Sequence, residues 1–146
     1  MIRKAKPQDI PAIVELAVES VSNNPLPVKI SREAMRETIQ QCMGPAHFCW
    51  VSEIDGVVVG AVVACAQPSF WFERQQASVL MYYSTRRGET AKLLRELARW
   101  VKSRPTIKVC VFEAEPESDP RLLAFLRRLG FTRQSSNLCY VRGMTQ

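Results

Sequence analysis

The run of residues 57–66, VVVGAVVACA, constrains the fold most, because it is apolar at nearly every position. A strand that is apolar on both of its alternating faces is typical of the centre of a sheet covered on both sides. Asp55-Gly56 separates this run from a second β-rich run, residues 47–54, and Asp-Gly between two such runs strongly predicts a hairpin. We therefore expect a central hairpin in a sheet with helices on both faces. The run is too short to span a bilayer.

Helical and strand patterns flank this hairpin in a regular order. Apolar residues at helical spacing follow Asp9, a candidate N-cap, and a second helix is expected to begin after Ser31. Asp119-Pro120 opens a last helix, and Gly130 ends it. Further strands are expected at residues 1–6, 78–84, 106–112, 132–135 and 138–142, and a strong helix at residues 91–101. This order predicts an α/β fold (α+β with a mixed sheet): a central, mostly antiparallel sheet of six to seven strands, about four helices on both faces, and one domain over residues 1–146.

Composition excludes several classes of protein. The 146 residues suit one compact domain, and no segment has the low complexity of a disordered chain. Five cysteines, an odd number without a CxxC pair, predict reduced thiols in a cytoplasmic compartment rather than a disulfide framework. The charged start MIRKAKPQD lacks the apolar segment of a signal peptide. His47 is the only histidine and has no neighbouring cluster of ligands, so we expect no metal site.

The stretch YYSTRRGETAKLLRELARW, residues 82–100, leads an apolar strand through two arginines and a glycine directly into a helix. A helix N-terminus offers unpaired N–H groups and a partial positive charge. Gly88 lets the backbone approach a ligand closely, and Arg86 and Arg87 suit phosphate oxygens. The pattern predicts a diphosphate site, although it also fits a plain connection with solvated arginines. It is neither a Walker loop nor a dinucleotide fingerprint.

The order of elements, together with two motifs, resembles the GNAT superfamily of N-acetyltransferases over nearly the whole chain. YYSTRRGETAKLL resembles the acetyl-CoA loop of that family, and AFLRRLGF, residues 124–131, resembles its common ending YEKLGF. The single-glycine loop, RRLGF and the closing CYVRG most resemble small enzymes encoded by phages or prophages. The resemblance implies a GNAT-like fold and transfer of an acetyl group from acetyl-CoA to a primary amine by direct attack, in the cytoplasm of a bacterial or phage-infected cell.

The resemblance also implies where the co-substrate lies. Backbone amides of residues 87–92 would hold the CoA diphosphate, and the pantetheine arm would lie between the fourth and fifth strands near residues 81–83. The thioester oxygen would accept a backbone N–H near Met81 or Tyr82. The implied cofactor-binding residues are Met81, Tyr82, Tyr83, Arg86, Arg87, Gly88, Glu89, Thr90, Ala91, Lys92, Asp119 and Arg127.

The sequence departs from the family pattern in the loop and at the acid. Glu89 and Thr90 stand where the family usually has glycine or alanine. A carboxylate there is unfavourable beside a diphosphate unless it points away or pairs with Arg86. Leu126 stands at the position of the family's usual tyrosine acid and cannot donate a proton.

Other groups must therefore move the protons. Tyr82, Tyr83 or a water would supply the acid. Glu113, just after the fifth strand, is the first candidate for the base, followed by Glu73 and His47.

The acceptor would lie opposite CoA, framed by residues 22–28 and 67–76. Three aromatic residues in a row occupy the second segment, and they cannot all face inward, so at least one is exposed or at an interface such as that of a homodimer. The alternatives are an aromatic wall for the acceptor and a loop covering the core. Candidate substrate-binding residues are Phe70, Trp71 and Glu73, with Phe72 beside them; the acids Glu113, Glu115, Glu117 and Asp119 would attract a cationic amine.

Two further hypotheses remain open at this point. From 86 to 108 the chain has eight Lys/Arg residues against two acids, and Arg127, Arg128 and Arg133 follow. Such a surface also fits a nucleic-acid-associated protein on the same scaffold, either non-catalytic or acting on amino groups of modified phage DNA, although no zinc finger, helix-turn-helix or RNA-binding signature is present. The altered loop and Leu126 would also fit a CoA binder that has lost its activity.

Overall fold

In a computed structural model, residues 1–22, 26, 28–114 and 118–143 are described. They form five strands and four α-helices, with a short 3-10 turn, Pro7–Asp9, before the first helix. The elements in chain order are β1 (Ile2–Lys4), α1 (Ile10–Val21), α2 (Arg32–Cys42), β2 (Phe48–Ile54), β3 (Val57–Pro68), β4 (Gln75–Ser84), α3 (Glu89–Ser103), β5 (Ile107–Val111) and α4 (Pro120–Leu129).

The strands form one mixed sheet with the order β1-β2-β3-β4-β5. Neighbours are antiparallel from β1 to β4, whereas β4 and β5 run parallel. The prediction of an α/β fold with a mixed sheet is confirmed, as are the central hairpin and the helices on both faces. Asp55 and Gly56 both have positive φ, 53° and 78°, as a two-residue hairpin turn requires.

The prediction of six to seven strands is wrong, because residues 132–135 and 138–142 form no strand in the described part of the chain. Residues 132–137 are all polar and exposed, so they have no apolar face to bury against the sheet. Leu138 and Tyr140 are also exposed. Strand propensity depends on packing against neighbours, and alternation alone does not supply a partner.

Two apolar layers enclose the sheet. On one face, α1 and α2 pack Ile13, Leu16 and Ile39 against the β2–β3 hairpin. On the other, α3 packs Leu93, Leu94 and Leu97 against the sheet, and α4 adds Leu126. β3 is buried continuously from residue 59 to 64, as its uninterrupted apolar run predicts. Among the described residues, no helix is long and apolar enough to cross a membrane.

A part-buried ion pair holds β1 to the 3-10 turn that precedes α1. The Arg3 guanidinium donates from Nη1 to Asp9 Oδ2 at 2.8 Å and from Nη2 to Oδ1 at 3.0 Å. The backbone N–H of Lys6 donates to the same carboxylate at 2.7 Å. Asp9 is only 8% exposed, and the hydrogen bonds from Arg3 are the main reason that its pKa is lowered.

Asp9→Asn is expected to reduce the free energy of unfolding at pH 7 by about 2 kcal/mol, because it removes the charge that accepts from two N–H groups of Arg3 and leaves the part-buried guanidinium with Glu53 as its carboxylate partner. A lowered folded-state pKa contributes stability that is present above the unfolded-state pKa and is lost as pH falls through the folded value. The difference between wild type and variant should therefore shrink below about pH 4. Urea denaturation at pH 7 and pH 3 measures this difference.

Asp55→Asn is the matched control, because Asp55 is exposed in the hairpin turn and asparagine tolerates positive φ there. Its effect at pH 7 should be within about 0.5 kcal/mol. An Asp9→Asn loss of equal size at both pH values would contradict the assignment to charge pairing.

Candidate functional site

β4 runs on past the end of β5, and we call the strip beside the edge of β4 that is left without a strand partner the slot between β4 and β5. The two strands pair from Gln75 with Ile107 to Ser78 with Val111. Beyond Ser78, β4 continues to Ser84, still paired with β3 on its other side. Among the described residues no strand pairs with this second edge of residues 79–84. Its backbone N–H and C=O groups are therefore placed to bind an extended, amide-containing ligand as an added strand would.

A β-bulge lies at the inner end of this slot. Val63 pairs with Met81, but the next residue, Ala64, pairs with Val79, so Leu80 is an extra residue on β4. A bulge leaves one residue out of the ladder and re-aims the neighbouring backbone groups. The bulge thus lies within two residues of the last β4–β5 pair. No sequence signal indicated it.

The outer end of the slot leads to the start of α3. Gly88 is the N-cap of that helix and has φ of 87°, a left-handed conformation in which a side chain is strained. A Cβ at Gly88 would meet nothing within 4 Å, so the space in front of the helix is open. Arg86 and Arg87 are exposed beside it.

Several backbone N–H groups at this turn have no hydrogen-bond partner among the described residues. As far as the described residues go, the N–H groups of Arg87, Gly88, Thr90 and Ala91 donate no backbone hydrogen bond, and no side chain caps the helix. The Thr90 hydroxyl donates to Ser84 Oγ at 2.9 Å and helps to fix the turn. Unpaired N–H groups, the helix dipole and two arginines together have the chemistry to bind an anion such as a diphosphate.

The carboxylate of Glu89, the first residue of α3, has two hydrogen-bond partners within the chain. Glu89 is 7% exposed and turned toward β2, where it accepts from the Ser52 hydroxyl at 2.5 Å and from Lys92 Nζ at 2.9 Å. These two hydrogen bonds, first that of Ser52, lower the pKa of the carboxyl group. Its partners are therefore Ser52 and Lys92 and not Arg86. The sequence pattern does not single out Ser52, which directly follows the apolar residues 48–51 of β2.

Met81, Tyr82 and Tyr83 line the free stretch of β4 and alternate between the two faces of the sheet. Met81 and Tyr83 pack on the face covered by α1 and α2. Tyr82 packs on the opposite face, in the same cluster as Leu126, with its ring 4.5 Å from that of Phe112. Burial raises the pKa of the Tyr83 hydroxyl, and the neighbouring Glu19 carboxylate raises it further.

A cleft of ≈ 240 Å³ adjoins the bulge on the face covered by α1 and α2. Leu80 and Met81 of β4 form part of its wall, and no charged side chain belongs to the described lining. The cleft therefore adjoins the residues of β4 at which the slot begins. The remaining lining residues are Ala17, Ser20 and Val21 of α1, Ala34, Met35, Thr38 and Ile39 of α2, and Val63 of β3.

Three other predicted site residues lie around the C-terminal part of the chain. Glu113 is exposed two residues beyond the end of β5. Asp119 caps α4 by accepting from the backbone N–H of Arg121 at 2.9 Å, and its carboxylate also pairs with the Arg121 side chain. Arg127 donates to Gln134 at 2.7 Å. The predicted acids Glu115 and Glu117 lie outside the described residues.

The aromatic run lies at the tip of the β3–β4 connection. Phe70, Trp71 and Phe72 are 87%, 88% and 66% exposed, so they do not cover the core, and neither they nor the exposed Glu73 belong to the cleft lining. His47 lies near the start of β2, where its Nδ1 accepts from the Ala66 N–H at 3.0 Å. The start of β2 is the end of the sheet opposite Gly88. The described residues contain no group of three His, Cys, Asp or Glu side chains suited to hold a metal ion.

Comparisons with known proteins identify the family. A sequence model of the acetyltransferase (GNAT) family matches residues 15–131. The chain therefore belongs to the acetyltransferase (GNAT) family, in which acetyl-CoA-dependent acetylation of amines is typical. A comparison with individually curated proteins finds no significant match.

Solved structures share the fold at low sequence identity. A putative acetyltransferase from Agrobacterium tumefaciens has a TM-score of 0.70 at 20% identity, with 97% of this chain and 99% of that chain covered. An aminoglycoside acetyltransferase from an uncultured soil sample, in complex with sisomicin, has a TM-score of 0.68 at 14% identity, with 99% and 96% covered. A ribosomal-protein-alanine N-acetyltransferase from Brucella melitensis has a TM-score of 0.70 at 21% identity, with 89% and 83% covered.

Proposed function

We propose that this enzyme binds acetyl-CoA in the slot between β4 and β5 and transfers the acetyl group to a primary amine held in the cleft beside α1 and α2. One observation carries the proposal: the pairing of β4 and β5 ends at Ser78 and Val111, while β4 runs on to the anion site at the start of α3. An extended amide-containing arm with a diphosphate at its end has the chemistry that this slot and its end would bind.

The diphosphate contacts follow from the groups at the start of α3. The N–H groups of Arg87, Gly88, Thr90 and Ala91 would donate to its oxygens, and Arg86 and Arg87 would add charge. The hydrogen bonds of the Glu89 carboxylate agree with this arrangement, because its partners are Ser52 and Lys92. Asp119 pairs with Arg121, and Arg127 donates to Gln134. These contacts do not support a role for either residue in the co-substrate site.

The reaction would take place at the Leu80 bulge. A backbone N–H there would donate to the thioester oxygen and stabilise the negative charge that develops on it. The neutral amine would attack the carbonyl carbon from the adjoining cleft, forming a C–N bond as the C–S bond breaks. The nitrogen then loses a proton and the departing sulfur gains one.

We propose Tyr82 as the group that protonates the sulfur. Leu126 is 4% exposed in the cluster that also contains Tyr82, so Tyr82 supplies a hydroxyl on the face where Leu126 cannot. Tyr83 lies on the acceptor face beside Glu19. Glu113, exposed beyond the end of β5, is the proposed base, acting directly or through water.

Calorimetric titration with CoA and acetyl-CoA tests the site, and an amine panel with detection of the released thiol tests the reaction. We expect saturable one-to-one binding and a rise in Tm with acetyl-CoA. Binding without turnover of any amine would favour the alternative of a CoA binder that has lost its activity. The absence of binding would overturn the whole proposal.

Thr38→Trp is expected to raise the KM for the amine that the panel identifies by at least about tenfold, because the indole would fill the cleft from α2. The Kd for acetyl-CoA should not change, since Thr38 does not line the slot. Arg36→Trp is the control, because Arg36 is exposed on the same helix outside the cleft lining. Equal effects of the two variants would argue against the cleft as the acceptor site.

The distribution of cations supports acetyl-CoA over a nucleic acid as the partner. Lys92 pairs with Glu89, and Arg99 pairs with Glu96. Arg95 lies over the ring of Phe125. Several of the cations that suggested a polymer-binding surface are thus engaged within the chain. A filter-binding series against salt should show no steep slope.

The finer predictions from the sequence remain predictions. They are an origin in a phage or prophage, a cytoplasmic location and a homodimer. The exposed aromatics Phe70, Trp71 and Phe72 are compatible with an interface between two copies, and sedimentation of the protein would test that state.

A further inference from the structure

The chemical character of the cleft beside α1 and α2 restricts the kind of amine that it could hold. Its described lining contains no charged side chain. The two hydroxyl groups of that lining belong to Ser20 and Thr38, and that of Ser20 already donates to the Ala17 carbonyl oxygen of its own helix at 2.7 Å. The other lining residues are alanine, valine, isoleucine, leucine and methionine. A charged group placed here would lose water without gaining a partner.

The charged side chains of the two helices lie outside this lining. Glu15 of α1 and Arg32 of α2 pair with each other, with 3.1 Å between Glu15 Oε2 and Arg32 Nη2. The other charged residues of α2 are exposed and do not belong to the lining; they are Glu33, Arg36 and Glu37. The described lining therefore offers no counter-charge to a ligand group that lies within the cleft.

Negative charge is present on the β4 side of the cleft. The Glu19 carboxylate of α1 neighbours the Tyr83 hydroxyl, and Tyr83 packs on the same face of β4 as Met81, which lines the cleft. This carboxylate would attract the ammonium form of an amine toward β4, where the proposed thioester lies. An amine in this orientation would have its charge at β4 and its carbon body in the apolar cleft.

The volume of the cleft limits the size of that body. An apolar cavity of about 150 Å³ holds a benzene ring, whereas this cleft has ≈ 240 Å³. A phenyl ring with a short carbon arm would occupy most of it. Ser20, Ala34, Thr38 and Leu80 of the lining are exposed, so the cleft opens to solvent and a free amine can enter.

We propose that the acceptor is a primary amine on an uncharged, apolar body of about the size of a phenylethyl group. The body would lie in the cleft, with the nitrogen next to Leu80 and Met81. The inference rests on the proposed function and narrows the acceptor from primary amines in general to this class. Amines with a carboxylate or a second cation at the far end are expected to be poor acceptors, because that charge would lie among apolar side chains.

Two matched pairs of amines test the proposal, with acetyl-CoA as the donor and detection of the released thiol. The first pair is para-methylphenethylamine and para-carboxyphenethylamine, which differ in the group at the far end of the ring. The second pair is heptylamine and hexamethylenediamine, which have the same number of heavy atoms but differ by a second ammonium. The uncharged-bodied member of each pair should have a kcat/KM at least about tenfold higher.

A carboxylate introduced into the lining should reverse part of this selectivity. In Thr38→Glu, the ratio of kcat/KM for hexamethylenediamine to that for heptylamine should rise at least about tenfold, because the second ammonium gains a counter-charge. Gln40→Glu adds the same charge at an exposed position of α2 outside the cleft lining. It should leave this ratio within about threefold of the wild-type value. Equal changes in the two variants would contradict the proposal.

The possible outcomes distinguish this inference from the proposed function. Equal kcat/KM within the pairs, or a preference for the charged members, would overturn the inference while acetyl transfer stands. A preference for hexanoyl-CoA over acetyl-CoA as the donor would assign the cleft to the acyl chain and would also overturn it.

If no amine is acetylated, the proposed function fails, and calorimetric titration with the same four amines in the presence of CoA decides the inference. The uncharged-bodied amines should then bind at least about tenfold more tightly than their charged counterparts. Equal binding within the pairs, or no binding, would overturn the inference.

Discussion

Replacing Arg86 and Arg87 together with glutamate is expected to weaken the binding of CoA and acetyl-CoA at least about a hundredfold. Both guanidinium groups are exposed beside Gly88, in front of the N-terminus of α3. Charge-assisted contacts to phosphate are stronger than neutral hydrogen bonds, and reversal replaces attraction with repulsion. Calorimetric titration of the folded variant measures the change in Kd.

The matched control is Arg99→Glu with Lys102→Glu. It changes the net charge by the same amount, on exposed positions of the same helix but far from its N-terminus. Its effect on Kd should be less than about threefold at physiological salt, because charges beyond about 8 Å are largely screened. If both double variants weaken binding equally, only the overall charge matters and the start of α3 is not the diphosphate site.

A third arm of the experiment uses the ligand instead of the protein. CoA and dephospho-CoA both keep the diphosphate but differ in the 3′-phosphate. A loss of affinity that is similar for both ligands would assign Arg86 and Arg87 to the diphosphate. A loss confined to CoA would assign them to the 3′-phosphate and would contradict the geometry proposed here.

Tyr82→Phe is expected to lower kcat about a hundredfold, which is within the usual range for loss of a general acid. The variant keeps the ring and its contact with Phe112 at 4.5 Å, so the packing of β4 against the α3–α4 layer should persist. The Kd for acetyl-CoA should remain within about twofold of the wild-type value, because the backbone of β4 is unchanged. Steady-state kinetics and calorimetry separate the two quantities.

Tyr83→Phe is the control on the next residue of the strand. Its side chain lies on the opposite face, with α1 and α2, and it should lower kcat less than about tenfold if it plays no part in proton transfer. A large loss in Tyr83→Phe with little effect in Tyr82→Phe would exchange the proposed roles. Small losses in both variants would assign the proton to water.

A substrate with a better leaving group strengthens this test. An acetyl thioester of a more acidic thiol needs less protonation of the departing sulfur, so it should lose less rate in Tyr82→Phe than acetyl-CoA does. A merely structural role for Tyr82 would reduce the rates of both donors by the same factor.

Local sequence signals determined most of the elements of this protein. Asp55-Gly56 specifies the hairpin because its conformation is set within two residues. Asp119 and Gly130 mark the ends of α4 for the same reason. The glycine and arginines before α3 indicated an anion site, since a helix N-terminus has the same chemistry in any fold.

Only the tertiary structure decided the features that depend on distant partners. The Leu80 bulge and the end of β4–β5 pairing depend on register across three strands, and the side-chain pattern of one strand does not encode that register. The Glu89 carboxylate accepts from Ser52, 37 positions away, a contact that no local sequence pattern encodes. The predicted strands after residue 131 do not form in the described chain, because alternation signals a strand only where a partner and a core are available to bury it.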